Sequence, residues 1–264
     1  MREIPIFHIS RRLLSVWQRN VTVYQKTWKI SFIPPLLEPL FYILAFGVGL
    51  SSLVGKINYA GKEIAYVTFI APSLIAVAVM YNAFFENTYS SFVRMYYQKT
   101  FDAMLATPLS LEDIISGEII WGATKSVLAT TIMMGVISAF GLVHYPSGLL
   151  VIPLSFLGGL AFGSIAMFFT GLVPNIESFN LPIFLFITPM FLFSGTFFPL
   201  ENLPLWAQKA ALVFPLTHLV TITRAFCYGR ITGSNVVLPL CYLLIFGLAF
   251  FPLALVKMRQ RLIK

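Results

Sequence analysis

Apolar residues along this chain gather into runs of about twenty, long enough to cross some 30 Å of hydrocarbon as helix. Six such runs stand out, at 31–54, 64–85, 119–143, 148–173, 179–198 and 235–256. The first is interrupted only by Glu38 and punctuated by Pro34, Pro35 and Pro39, while the second carries no charge. Lys125 lies near the start of the third, and the fourth contains Gly159-Leu-Ala-Phe-Gly163. Ahead of them the pattern is amphipathic. At about 100° per residue from Ile6, the positions Ile9, Leu13, Trp17, Val21, Tyr24 and Trp28 share one face. Arg11, Arg12, Arg19, Lys26 and Lys29 fall on the opposite one. This predicts a helix over 1–30 lying in the membrane interface, the alternative being a solvated face on a helix packed against protein.

Two connections exceed a turn. In the one from Glu86 to Glu118, residues 94–107 read as a helix that stops because Pro108 disfavours the α region at Thr107. Ser110 and Asp113 form a capping-box pattern that starts a new helix running into the third span. The expected product is a short helix held crosswise beneath the membrane, with Phe101, Met104 and Leu105 on one side; an ordinary amphipathic connector has the same periodicity. In the second connection, Pro199, Pro204 and Pro215 divide residues 199–231 into pieces too short to span. Two short helices that dip into the outer leaflet and return are expected, with Trp206 at the interface. Such a re-entrant hairpin needs protein or water around its broken backbone, which suits an external gate.

Composition excludes a soluble chain. Of 264 residues 58% are apolar and only 11% charged, with a mean hydropathy of +0.84. Average soluble domains hold roughly 45–50% and about 25% of these types. Disorder is excluded for the opposite reason, since there is too much to bury. The reading is therefore a single, all-α polytopic transmembrane domain over 1–264. The net charge of +8 raises nucleic acid as a partner. The basic residues cluster at the chain ends beside apolar spans, however, so membrane lipids are the expected partner and nucleic acid is not. Twelve Lys/Arg fall on the side of the termini and the 86–118 connection, against Lys56, Lys62, Lys209, Arg224 and Arg230 on the other. That bias predicts both termini in the cytoplasm. The first 29 residues lack the continuous apolar core of a cleavable signal.

Catalytic patterns are missing. No phosphate-binding loop, zinc-protease motif or nucleophile elbow occurs, and Gly61-Lys62-Glu63 lacks the leading glycine and the hydroxyl. His8, His144 and His218 are dispersed, and Cys227 and Cys241 have no metal-type spacing. No catalytic residue, metal or cofactor is expected on this chain. Glu38 and Lys125 lie shallow in their spans, where snorkelling or structural pairing is favoured over ion or proton coupling.

One long run, Arg94-x4-Lys99-Thr-Phe-Asp-Ala-Met-Leu-Ala-Thr-Pro-Leu-Ser-Leu-Glu-Asp-Ile-Ile-Ser-Gly-Glu-Ile-Ile-Trp121, resembles the coupling segment of type-2 ABC exporter permeases. Ser194-Gly-x-Phe-Phe-Pro199, Leu203-Pro-x-Trp206 and Pro215-Leu-Thr-His218 resemble the external helical hairpin of that family. The likeness covers the whole chain in the expected order and is nearest to the nodulation-type subgroup, which exports lipo-chitooligosaccharides. It implies a half-transporter of the inner membrane. Two such permeases would pair as a homodimer, and two separate ABC ATPase subunits, holding ATP and Mg, would dock beneath them. Arg94, Lys99, Phe101, Asp102, Leu105 and Pro108 would form the coupling element. The N-terminal helix, with Arg11, Arg12, Arg19 and Lys26, would clasp the side of the ATPase. The implied cargo is an amphipathic lipo-oligosaccharide or lipid-linked glycan. A drug or lipid efflux permease of the same family is the alternative, followed by an ion-coupled secondary transporter and a membrane enzyme.

Overall fold

The computed structural model describes residues 9–49, 55–59 and 61–263. Helix α1 spans Leu13–Tyr42 and continues as a π-helical stretch over Ile43–Gly49. Strands β1 (Lys56–Tyr59) and β2 (Lys62–Ala65) precede α2 (Tyr66–Tyr97) and the short α3 (Thr100–Leu105). Then come α4 (Leu111–Ala139), α5 (Ser147–Leu172) and the mixed helix α6 (Glu177–Phe193). The short helices α7 (Leu205–Ala211) and α8 (Pro215–Cys227) lead into the final helix α9 (Gly233–Leu262). Among the described residues, four helices are long and apolar enough to cross a membrane, and up to six spans result if each bent pair counts as one.

Interface helix and first span were expected as separate elements, 1–30 and 31–54. The helix is continuous through both, but it bends by 61° between the segments Leu13–Lys29 and Ser31–Phe46, at the expected boundary. Pro34 and Pro35 account for the bend, because each lacks an N–H and its ring crowds the carbonyl four residues back, at Ile30 and Ser31. Residues 1–8 and 50–54 of these two expectations lie outside the described residues. The buried stripe of α1 also differs from the helical wheel. Val16 and Asn20 are its most buried side chains, whereas Ile9 and Trp28 are about half exposed. The helix packs on α4, and that neighbour decides which face is inside.

The chain is not wholly helical. β1 and β2 pair antiparallel with Ile57 opposite Ile64 and Tyr59 opposite Lys62, and they take the first two residues of the expected second span. Alternation puts Ile57, Tyr59 and Ile64 on the inner face. The Tyr59 ring packs edge-on against Phe69, with centroids 5.2 Å apart.

Helix α2 is the hub and α9 the rim. In their most apolar windows 78% of α2 is buried, against 11% of α9. One apolar cluster surrounds the first half of α2 at the hairpin end and includes Phe69, Ile75, Phe84, Met133 and Phe162. The second fills the α3 end with Val16, Phe92, Phe101, Ile115, Phe179 and Met258. The expected fifth span, 179–198, is only the 17-residue helix Glu177–Phe193. Its end is set by Gly195, whose φ of +72° no helix can continue.

Helices α4 and α5 meet through Gly159. A Cβ there would lie 2.6 Å from the Cα of Ala123, so only hydrogen fits against the neighbouring backbone. The glycine pair of the fourth span thus packs within one chain. Gly159→Leu is expected to lower stability by about 3 kcal/mol or more, since backbone cannot yield as a side chain does. Thermal unfolding in detergent should show it, while Leu157→Ala, on the more open face, should cost far less.

Candidate functional site

Sequence reasoning expected a helix over 94–107. Helix α2 instead runs on to Tyr97 through two π turns, Glu86–Ser90 and Val93–Tyr97. It stops because Lys99 adopts the left-handed region at φ +54°. α3 then occupies only Thr100–Leu105. The capping box is present: the Asp113 amide donates to Ser110 Oγ at 3.0 Å, and the Ser110 amide donates to Asp113 Oδ2 at 3.3 Å. Asp113 also accepts from the Ser10 amide at 2.6 Å and from Ser10 Oγ at 3.0 Å. The Arg12 guanidinium donates to the Pro108 carbonyl. The start of the described chain is thereby tied to the α3–α4 corner.

Two expected contact residues face inward. Phe101, expected in the coupling element, is fully buried in one apolar cluster with Val16, Phe92 and Phe179, so its side chain is turned into this chain. Arg94 is also turned inward, with a side chain only 13% exposed. Lys99 and Asp102 do lie outside and pair loosely at 3.9 Å, with Leu105 half-buried beside them. Pro108 and Arg11 are exposed, as is Lys26, while Arg19 is half-buried and donates to Asn20 Oδ1 at 2.9 Å.

Behind α3 sits a cluster that the sequence did not reveal. Arg94 lies between two buried carboxylates, 2.8 Å from Glu86 Oε1 and 3.0 Å from Glu118 Oε2 through Nε. Lys125 pairs with Glu86 Oε2 at 2.7 Å, and the Trp121 indole donates to Glu86 Oε1 at 3.0 Å. Glu118 further accepts from Ser91 Oγ at 2.6 Å and from Asn20 Nδ2 at 2.9 Å. Two cations and two carboxylates balance, and their hydrogen bonds join α1, α2 and α4. Lys125 is thus explained by pairing. Glu38 stays half-buried on the bent part of α1, outside the cluster. The two glutamates were read as loop boundaries; Glu86 stands eight residues before Arg94, a same-face spacing on one helix, whereas Glu118 comes from another helix and has no such signal. A polar groove of about 400 Å³ opens beside the cluster, lined by Arg19, Tyr24, Thr27, Glu86, Arg94 and Lys125.

The opposite end holds α7 and α8, which meet at 87°. Pro199 and Pro215 are buried, the latter opening α8, while Pro204 precedes α7 with Leu205 and Trp206 about three-quarters exposed. His218 Nε2 donates to the Leu212 carbonyl at 2.8 Å, and the ring stacks on Tyr242. Arg224, counted from sequence as a loop cation, is buried. It donates to the Gly195 carbonyl at 2.7 Å and lies 3.7 Å over the Phe69 ring. Among the described residues no group of three or more His, Cys, Asp or Glu side chains could hold a metal.

A family model described as ABC-2 type transporter matches residues 11–228, most of the chain. The chain belongs to the ABC-2 type transporter family. It is 36% identical to Nodulation protein J of Sinorhizobium fredii over 95% of this chain and 94% of that protein. Nodulation protein J of Rhizobium leguminosarum bv. viciae is 35% identical over 95% of each chain. The inner membrane transport permease YadH of Escherichia coli is 24% identical over 90% of this chain and 91% of its own length. This ABC-2 chain is an integral membrane permease, and one of its relatives is named as a transport permease.

The cluster makes a stability prediction for this ABC-2 permease. Glu118→Ala leaves Arg94 with Glu86 alone and takes the acceptor from Asn20 Nδ2 in a buried site, and it should cost about 3–5 kcal/mol. Glu118→Gln keeps an acceptor for Asn20 and should cost less. Denaturation in detergent of both variants, ranked against wild type, checks the order.

Proposed function

We propose that this permease is half of an ATP-driven exporter that moves an amphipathic lipo-oligosaccharide or lipid-linked glycan out of the cytoplasm or inner leaflet. The observation that carries the reading is the charge cluster directly behind the exposed α3. A short helix with Lys99 and Asp102 outward and Phe101 inward can receive a push from a partner. Its anchor, Phe101, shares a core with α1, α2, α4 and α6. Arg94, at the foot of α2, links that core electrostatically to α4. A displacement of α3 would therefore be passed to several spans rather than absorbed locally.

In this reading an ABC ATPase, which would supply ATP and Mg, docks at α3 and at the basic face of α1. Two ATPase chains serve two permease copies paired as a homodimer, in the cytoplasmic membrane with both termini inside. The bias of twelve Lys/Arg to that side supports the orientation. Arg224 lends it further support: buried against carbonyls and aromatic faces, it adds no free cation to the opposite side. The α7–α8 hairpin serves as the external gate, and the exposure of Trp206 suits a side chain that meets headgroups. The substrate class rests on the similarity to the nodulation proteins, and the 16% aromatic content suits sugar rings and acyl chains.

Asp102→Lys should leave the permease folded in the membrane yet lose ATPase pull-down and export by tenfold or more. Phe101→Ala, by contrast, should lower stability by about 3–5 kcal/mol, because it empties a core site. Normal pull-down and export by Asp102→Lys would remove α3 as the docking element. Orientation has its own check. Cysteines replacing Lys56 and Asn202 should react with an impermeant maleimide on intact cells, and one replacing Gln98 should react only after permeabilisation.

A further inference from the structure

On the far side of α4 from the charge cluster, an apolar groove of about 380 Å³ runs between α4, α5 and α9. That size falls within the roughly 300–1,000 Å³ of sites that hold small ligands. Its walls are almost wholly hydrocarbon, from Phe156, Leu160, Leu244 and Phe251 among others. Its floor is made shallow by Gly247, where an added Cβ would lie 3.4 Å from the Cα of Ala161. Along α9 the groove reaches from Leu243 to Phe251, about 12 Å at 1.5 Å per residue. One leaflet's hydrocarbon is about 15 Å deep. The groove therefore has the length of a single acyl chain within one leaflet.

Two features give it a polar end. Ser116 lines the groove, is 96% buried by its 4% exposure, and its Oγ has no hydrogen-bond partner. In a helix a serine hydroxyl ordinarily returns to the carbonyl four residues back, so a buried unpaired one marks a place for an acceptor. Ile9 and Leu13 close the same end, next to Arg11 and Arg12. One turn before Ser116, Glu112 faces Arg259 at 3.9 Å. Asp113 is already occupied by Ser10 and Ser110. The mouth thus has more cation than free carboxylate.

We propose that this groove holds one acyl chain of an anionic glycerophospholipid, its ester carbonyl accepting from Ser116 and its phosphate lying near Arg11 and Arg259. Hydrocarbon contact alone would not retain it, because surrounding lipid tails are equally apolar. Selectivity for a resident lipid must come from the polar end. A lipid wedged there would fill the angle between α9 and the α4–α5 pair, on a helix of which only 11% of the most apolar window is buried.

The test uses the full chain purified in detergent and exposed to mixed micelles carrying equal amounts of phosphatidylglycerol and phosphatidylcholine. Native mass spectrometry should show one phosphatidylglycerol kept per chain, at least tenfold over phosphatidylcholine. Ser116→Ala, a change too small to unfold the bundle, should cut retention about tenfold. Leu248→Trp, which fills the groove, should abolish it, whereas Leu238→Trp on an exposed part of α9 should not. Equal retention by wild type and Leu248→Trp would overturn the site. Equal retention of the two lipids, or occupation of the face by a second copy with no lipid bound, would overturn the assigned occupant.

Discussion

Everything at the α3 end depends on Arg94 being held between Glu86 and Glu118. A guanidinium with 13% exposure is costly in an apolar bundle unless acceptors surround it, and here two carboxylates do so. Each glutamate then needs further donors, and these come from different helices: Trp121 and Lys125 for Glu86, Asn20 and Ser91 for Glu118. Removing water from one cation thus forces α1, α2 and α4 to converge. The π turns of α2 and the break at Lys99 keep this foot of α2 in register, and they leave α3 to project with Phe101 and Met104 buried and with Lys99, just before it, and Asp102 exposed.

The hairpin end solves a similar problem without a carboxylate. Arg224 is satisfied by carbonyls at Gly195 and Thr196, where the backbone after α6 has left the helix and freed its acceptors. Aromatic faces of Phe69 and Tyr59 cover the remaining surface of the guanidinium. The short α6 and the folded-back α7 and α8 are consequently parts of one arrangement. Because α6 ends at Phe193, the carbonyls just beyond it, at Gly195 and Thr196, are free to serve the arginine of α8.

Much of this architecture is legible in the chain. Twenty-residue apolar runs locate the four long spans, because a bilayer allows little else. The Ser110–Asp113 box fixes the start of α4, and Pro199, Pro204 and Pro215 each stand at the start of a short helix. The failures share a cause. The left-handed Lys99 and the π turns have no residue signature, so residues 94–107 look like one helix. The β-hairpin is four residues per strand, and its alternation is hidden beside a span. Val16 and Asn20 are buried because Gly117 of α4 brings that helix close, with an added Cβ meeting Val16 at 2.7 Å.

Sequence by itself determined the solvent, the approximate spans, the charge asymmetry and the family. These follow from composition, run length and local motifs, each of which acts through neighbours along the chain. Which charges pair, which face of α1 is inside, where α2 stops and which expected contact residues are buried were decided only by the tertiary structure. Glu86, Arg94, Glu118 and Lys125 are spread over forty residues on separate turns. A charge in an apolar interior must find its partner wherever packing brings one, and no local rule of the sequence records that distance.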